Sequence, residues 1–150
     1  MKKTFFLLWI IAGLLTACGN NNNKQPESEN DLEAARNFIE AALKGKYDMS
    51  RNFMLQDTEN LERLDAVSRV QLSSSEKQGL WDASIKIINR HLVNDSTSII
   101  IYSNSFHPEN TDTLKVVKLD GKWLVDFKYL FNHDQPDVPP TLNDSTTTKP

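Results

Sequence analysis

A two-residue loop, Asp120-Gly121, joins two runs in which apolar and polar residues alternate, Thr113 to Leu119 and Lys122 to Leu130. Asp-Gly suits a tight hairpin because both loop positions need a positive φ, which glycine takes freely and aspartate tolerates. The loop also decides which residues face each other. Leu119 lies opposite Lys122, and Lys118 opposite Trp123. One face then carries Trp123, Val125 and Phe127 against Lys118, Val116 and Leu114. The other carries Asp126 against Lys115, Leu124 against Val117, and Lys128 against Thr113. The first face reads as core and requires helices to cover it. The second holds one cross-strand ion pair and one apolar pair. A slip of one residue would expose the aromatics and bury charge, so the register is firmly specified.

Two more strands precede this hairpin. Ile85, Ile87, Ile88, Leu92 and Val93 mark a first strand whose alternation slips near Asn89, the sign of a bulge. Asn94-Asp95 reads as a tight turn, and Thr97 to Ser103 follows as a strand apolar on both faces. Helical spacing dominates upstream. Leu32, Ala35, Phe38, Ile39, Ala42 and Leu43 form one apolar face, with Asn30 as N-cap, Glu33 three places on to complete a capping box, and Gly45 as terminator. Shorter helices are predicted over Asp48 to Met54, over Thr58 to Leu72 behind an Asp57 or Thr58 cap, and around Ser75 to Gln78. Trp81, between helix and strand, reads as a plug at the core edge. Helices first and an antiparallel sheet second define an α+β domain, with the helices packed on one face of a curved, roughly four-stranded sheet.

The helix end "AALKGKYD" and the closing strands "TLKVVKLDGKWLVDFKYLF" resemble small lipoproteins of unknown function with a nuclear transport factor 2-like, or cystatin-like, domain. The likeness covers roughly residues 30 to 131 and rests mainly on the order of elements. It implies a cone-like fold, often with a cavity between sheet and helices.

The chain ends differ from the middle. Lys2 and Lys3 precede Phe5 to Leu15, an uncharged run too short for the ~20 residues of a spanning helix. This is the pattern of a signal peptide. Its end, Leu15-Thr16-Ala17-Cys18, resembles the bacterial lipobox, which implies cleavage after residue 17 and lipid, palmitate included, on the Cys18 sulfur. Residues 18–30 read as lipidated cysteine and polar tether, 31–131 as the domain, and 132–150 as a proline- and threonine-rich tail. Cys18 is the sole cysteine, so no disulfide is expected. Loss of Lys2 and Lys3 takes the formal charge from −3 to −5, which disfavours nucleic acid. Gly19 follows the cysteine where a retention signal would place aspartate, so the resemblance implies the outer membrane, facing the periplasm, with surface display the alternative.

No residue pattern demands an enzyme. The weak catalytic candidates are His91, Asp126 and Tyr129; the hairpin register pairs Asp126 with Lys115 as a solvated ion pair. Tyr129 shares the core parity of the last strand, Tyr102 lies on the strand apolar on both faces, and His107 and His133 fall in loop and tail. The histidines lack metal-ligand spacing, and no Gly-rich phosphate loop or G-x-S-x-G elbow occurs, so neither metal nor cofactor is expected. Asn94-Asp95-Ser96 and Asn143-Asp144-Ser145 read as turns rather than glycosylation sites. The leading expectation is a membrane-anchored, non-enzymatic binding module. It could take a small apolar ligand in a cone lined by Phe38, Trp123, Phe127 and Tyr129. It could instead dock an envelope protein or a second copy on the outer sheet face, where Val117, Leu124 and one parity of Ile99-Ile100-Ile101 are more apolar than solvent requires. The alternative is a small cavity enzyme of lyase or isomerase type.

Overall fold

The computed structural model describes residues 27–132. Cys18, its cleavage residues Leu15, Thr16 and Ala17, the signal segment, most of the tether, and the tail with His133 lie outside the described residues.

The chain adopts the expected α+β order. Helix α1 spans Asp31–Leu43, α2 Tyr47–Ser50, α3 Thr58–Ser68 and α4 Ser74–Trp81; strands β1 Ile85–Asn94, β2 Thr97–Asn104, β3 Asp112–Leu119 and β4 Lys122–Asp126 follow, and a last helical turn, α5, spans Tyr129–Asn132. The strands lie in sequence order in one antiparallel sheet. Asp120 and Gly121 both have positive φ, 50° and 83°, as the hairpin requires. The register follows: Leu119 faces Lys122, Lys118 faces Trp123, Val116 faces Val125 and Lys115 faces Asp126.

Helix α1 lies against the core face of the sheet. Ala34, Ala35, Phe38, Ile39 and Ala41 are buried, and the first four pack with Phe53, Met54 and Leu64 on Ile100, Tyr102, Leu114, Val116, Val125 and Phe127. The three alanines let other chain segments approach both flanks of the helix, so its buried surface is wider than the single expected face. The Asn30 side chain caps α1 by accepting from Glu33 N at 2.9 Å. The capping box does not close on Asn30, because the Glu33 carboxylate accepts from Glu29 N at 2.6 Å instead. Gly45, at φ 65°, turns the chain into α2. After a short 3-10 turn, Met54 bridges to Val125 and Leu55 N donates to Val125 O at 2.9 Å, so this segment covers the free edge of β4.

Three expected boundaries shift. Helix α3 ends at Ser68 rather than Leu72, since the Asp65 carbonyl accepts from the Ser68 hydroxyl and Arg69 Nε and the last turn tightens. The turn before β2 is Asp95-Ser96, because Asn94 Oδ1 accepts from Ser96 N at 2.9 Å and Asn94 stays in β1. Strand β4 stops at Asp126 instead of running to Leu130: Lys128 N donates to Asn60 Oδ1 at 2.8 Å rather than to a strand partner, and Tyr129 starts a helical turn.

Strand β1 is the other sheet edge. It bulges at Ile88 and again at Val93, and Ile88, Leu92 and Val93 are exposed. Bulges of this kind blunt an edge against unwanted strand pairing. Arg90 latches β1 to the start of α1, with Nε and Nη2 each donating at 2.7 Å to Asp31, whose side chain is 1% exposed. Burial opposes ionisation of Asp31, but Arg90, together with Ser98 and the Leu32 amide, more than offsets it, and the pKa lies below the ordinary 3.8. Asp57 is likewise lowered: burial raises it, and Asn60 and Lys128 outweigh burial. Carboxylates depressed in the folded state contribute stability above their unfolded pKa and lose it as pH falls through the folded value. The urea midpoint should therefore hold steady from neutral pH to about pH 4 and fall below that. Asp31→Asn should lower the neutral midpoint and flatten the acid limb; equal acid limbs in the two proteins would remove Asp31 from this account.

Candidate functional site

The residues expected to line an interior cavity divide between core and rim. Phe38 and Phe127 are core: their ring centroids are 5.0 Å apart, and Phe127 meets Phe131 edge-on at 5.2 Å. Trp123 is half-buried at the rim, on a small cleft of about 110 Å³ shared with Glu27, Gln56 and Leu124, and the Lys118 ammonium stands 5.6 Å from its ring. Tyr129 does not keep core parity. The early end of β4 rotates it to the outer side, where the Lys115 ammonium lies 5.9 Å from its ring.

Asp126 pairs with Lys115 as the register demands, Oδ2 to Nζ at 3.2 Å, but the pair is not a solvated one. The Asp126 side chain is 8% exposed, because α3 brings Asn60 over the end of β4. Asn60, wholly buried, donates from Nδ2 to Asp57 Oδ2 at 2.6 Å and to Asp126 Oδ1 at 3.2 Å, while its Oδ1 accepts from Lys128 N. Lys128 Nζ completes the cluster, 3.3 Å from Asp57 and 3.7 Å from Asp126. Both carboxylates are thus held by donors on three elements, an arrangement that ties α3 to the β4–α5 corner.

His91 is exposed on the outer face, opposite Ile99. Tyr102 is buried; burial first, and then the neighbouring Asp112, raise its hydroxyl well above the ordinary phenol range, so it stays protonated. His107 sits in the exposed β2–β3 loop, 3.8 Å from Glu109. Trp81 does not plug the core. It is the last residue of α4, half-exposed, with the Lys46 ammonium 5.1 Å from its ring. Among the described residues, no cluster of three or more histidine, cysteine or carboxylate side chains is arranged to hold a metal ion.

The outer sheet face presents a different surface. The pairings Thr97–Val117, Val117–Leu124, Ile99–Lys115 and Ile101–Thr113 place Ile101, Ile99, Val117 and Leu124 on one diagonal. All four are half-buried, shielded by their cross-strand neighbours. Lys115, Asp126 and His91 border the diagonal. The hairpin register made Val117 and Leu124 legible in the sequence; which of the three consecutive isoleucines joins them became clear only from the β2–β3 pairing, which sends Ile100 inward.

No family model matches the sequence, and no curated protein matches it. A solved structure of an NTF-2 like protein of unknown function from Shewanella oneidensis MR-1 is similar to this chain. Identity is 15%, the match covers 63% of this chain and 89% of that chain, and the TM-score is 0.45. That protein carries the name of the family the closing hairpin resembles. The α+β architecture here stands on its own strand pairing.

Proposed function

We propose that the chain is a lipid-anchored envelope protein, held to the outer membrane on its periplasmic side through Cys18. It acts as a non-enzymatic interaction module whose outer sheet face docks a second copy. The observation that carries the docking is the apolar diagonal Ile101, Ile99, Val117 and Leu124, which is more apolar than a face serving water alone. Four half-buried side chains offer less area than the ~1,600 Å² of a standard stable interface. Anchoring compensates, since confinement to one membrane raises the effective concentration of each copy for the next. The reading as a lyase or isomerase requires an ionisable group free to act inside the fold. Asp126 is instead engaged by Asn60 and Lys115, and His91 points outward.

Single-cysteine oxidation in native membranes tests the docking, because lipidation leaves no thiol at Cys18. Val117→Cys or Leu124→Cys should give a disulfide-linked dimer, Lys77→Cys should not, and adding Ile99→Asp to Val117→Cys should abolish the dimer. Crosslinking at Lys77 equal to that at Val117 and Leu124 would remove the interface. Labelling with a fatty-acid analogue tests the anchor: wild type should take the label and Cys18→Ala should lose both label and membrane association. A Cys18→Ala protein that still labels would end the lipoprotein reading.

A further inference from the structure

Helix α4 buries none of its residues, yet it roofs a groove of about 490 Å³ between the end of α1, Tyr47 and the α3–α4 link. That volume lies within the range of small-molecule sites. The roof is fixed from its far side. The Phe106 ring packs so close to Gly79 that a Cβ there would come within 2.2 Å of it, and Ser105 bonds to Ser84 just beyond the helix. Helix α4 is therefore held in place without filling the space beneath it.

The walls combine two chemistries. Leu43, Tyr47, Val70, Leu80 and Trp81 supply apolar surface, and Val70 and Trp81 remain 58% and 47% exposed. Lys44 and Lys77 supply charge, Lys46 stands beside them on the Trp81 ring, and no carboxylate lines the groove. The acids nearby, on α4 and at its C-terminal cap, are engaged elsewhere: Glu76 holds Ser73, and Asp82 accepts from Gln78. Lys44 is paired with Glu40, whereas the Lys77 ammonium has no ion-pair partner among the described residues. A groove of mixed lining, with an apolar wall at Val70, Leu80 and Trp81 and a cation without an ion-pair partner, is complementary to a single-tailed anion. The tail would cover Val70, Leu80 and Trp81, and the head group would meet Lys77.

We infer that this groove binds a free medium-chain fatty acid, its carboxylate on Lys77 and its chain beneath Trp81. The site is on the helical side of the domain and is independent of docking through the outer sheet face.

The full chain, held in phosphatidylcholine nanodiscs, can be titrated with ω-bromoundecanoate, whose bromine quenches indole fluorescence on contact. Quenching should saturate, the saturating component should vanish in Trp81→Phe, and Lys77→Glu should shift it to about tenfold higher concentration, the scale of one lost charge-assisted contact. ω-Bromoundecanol, equally apolar but uncharged, should show only unsaturated partition. Equal quenching by acid and alcohol, or an unchanged titration in Lys77→Glu, would overturn the site and leave membrane partition as the explanation. Neither outcome bears on the crosslinks at Val117 and Leu124.

Discussion

Phe38→Ala is expected to lower the unfolding free energy by about 3–5 kcal/mol, the range for removing a buried aromatic ring. Phe38 is 2% exposed and stands where helix α1 meets the sheet, its ring 5.0 Å from that of Phe127. Truncation removes transfer free energy and leaves a cavity that neighbours can fill only by moving α1. They have little freedom to do so, because Arg90 and Asn30 fix the start of that helix. Urea unfolding followed by far-UV circular dichroism gives the number. Phe127→Ala should cost a similar amount, and the double variant should fall short of the sum by about 0.5–1.5 kcal/mol, the aromatic pair's own contribution. A loss below about 1 kcal/mol for Phe38→Ala would mean the ring does not hold helix to sheet.

The contrast between these two phenylalanines and Tyr129 shows what the sequence could convey. Asp120-Gly121 dictates a register outright, and alternation from that fixed point assigns Val125 and Phe127 to the core. Local cap chemistry likewise marks Asn30 and Asp57 as helix starts, whereas the fourth helix, expected from Ser75, is capped two residues earlier by Ser73. The slipped alternation near Asn89 correctly signals the bulge at Ile88. Tyr129 continues the same alternation on paper, but the strand has ended. What ends it is a side chain 68 residues earlier, Asn60, which takes the Lys128 amide. No local pattern carries that information: Asn60 sits in the first turn of α3, where a polar residue reads as solvent-facing cap. The pairing of Arg90 with Asp31 was hidden for the same reason, since an acid at a helix start ordinarily faces water and complements the dipole. The groove beneath α4 was equally illegible, because Trp81 and Val70 look like core residues until the packing leaves them outside.

Asn60→Ala should destabilise the domain by about 2–4 kcal/mol, from two broken obligations rather than from lost volume. The Lys128 amide would lose its acceptor where no strand neighbour replaces it, and Asp126 would lose a donor at a position closed to bulk water. Asp57 keeps its bond from the backbone of residue 60, so the α3 cap survives and the loss falls on the β4–α5 corner. Hydrogen exchange should accordingly quicken at Lys128 and through Tyr129 to Asn132 before it changes in α1. Asn60→Asp provides the sharper comparison. It preserves shape and the acceptor for Lys128, but sets a third carboxylate between Asp57 and Asp126. Repulsion would raise the new group's folded pKa above its unfolded value, so its penalty is full at neutral pH and shrinks as pH falls through that raised value. The gap in urea midpoint between Asn60→Asp and wild type should therefore start to narrow well above pH 4, while the gap for Asn60→Ala should change only below about pH 4, where Asp57, which loses its side-chain donor in that variant, takes up its proton. Parallel pH dependence of the two variants would show that the carboxylates at this corner do not interact through Asn60.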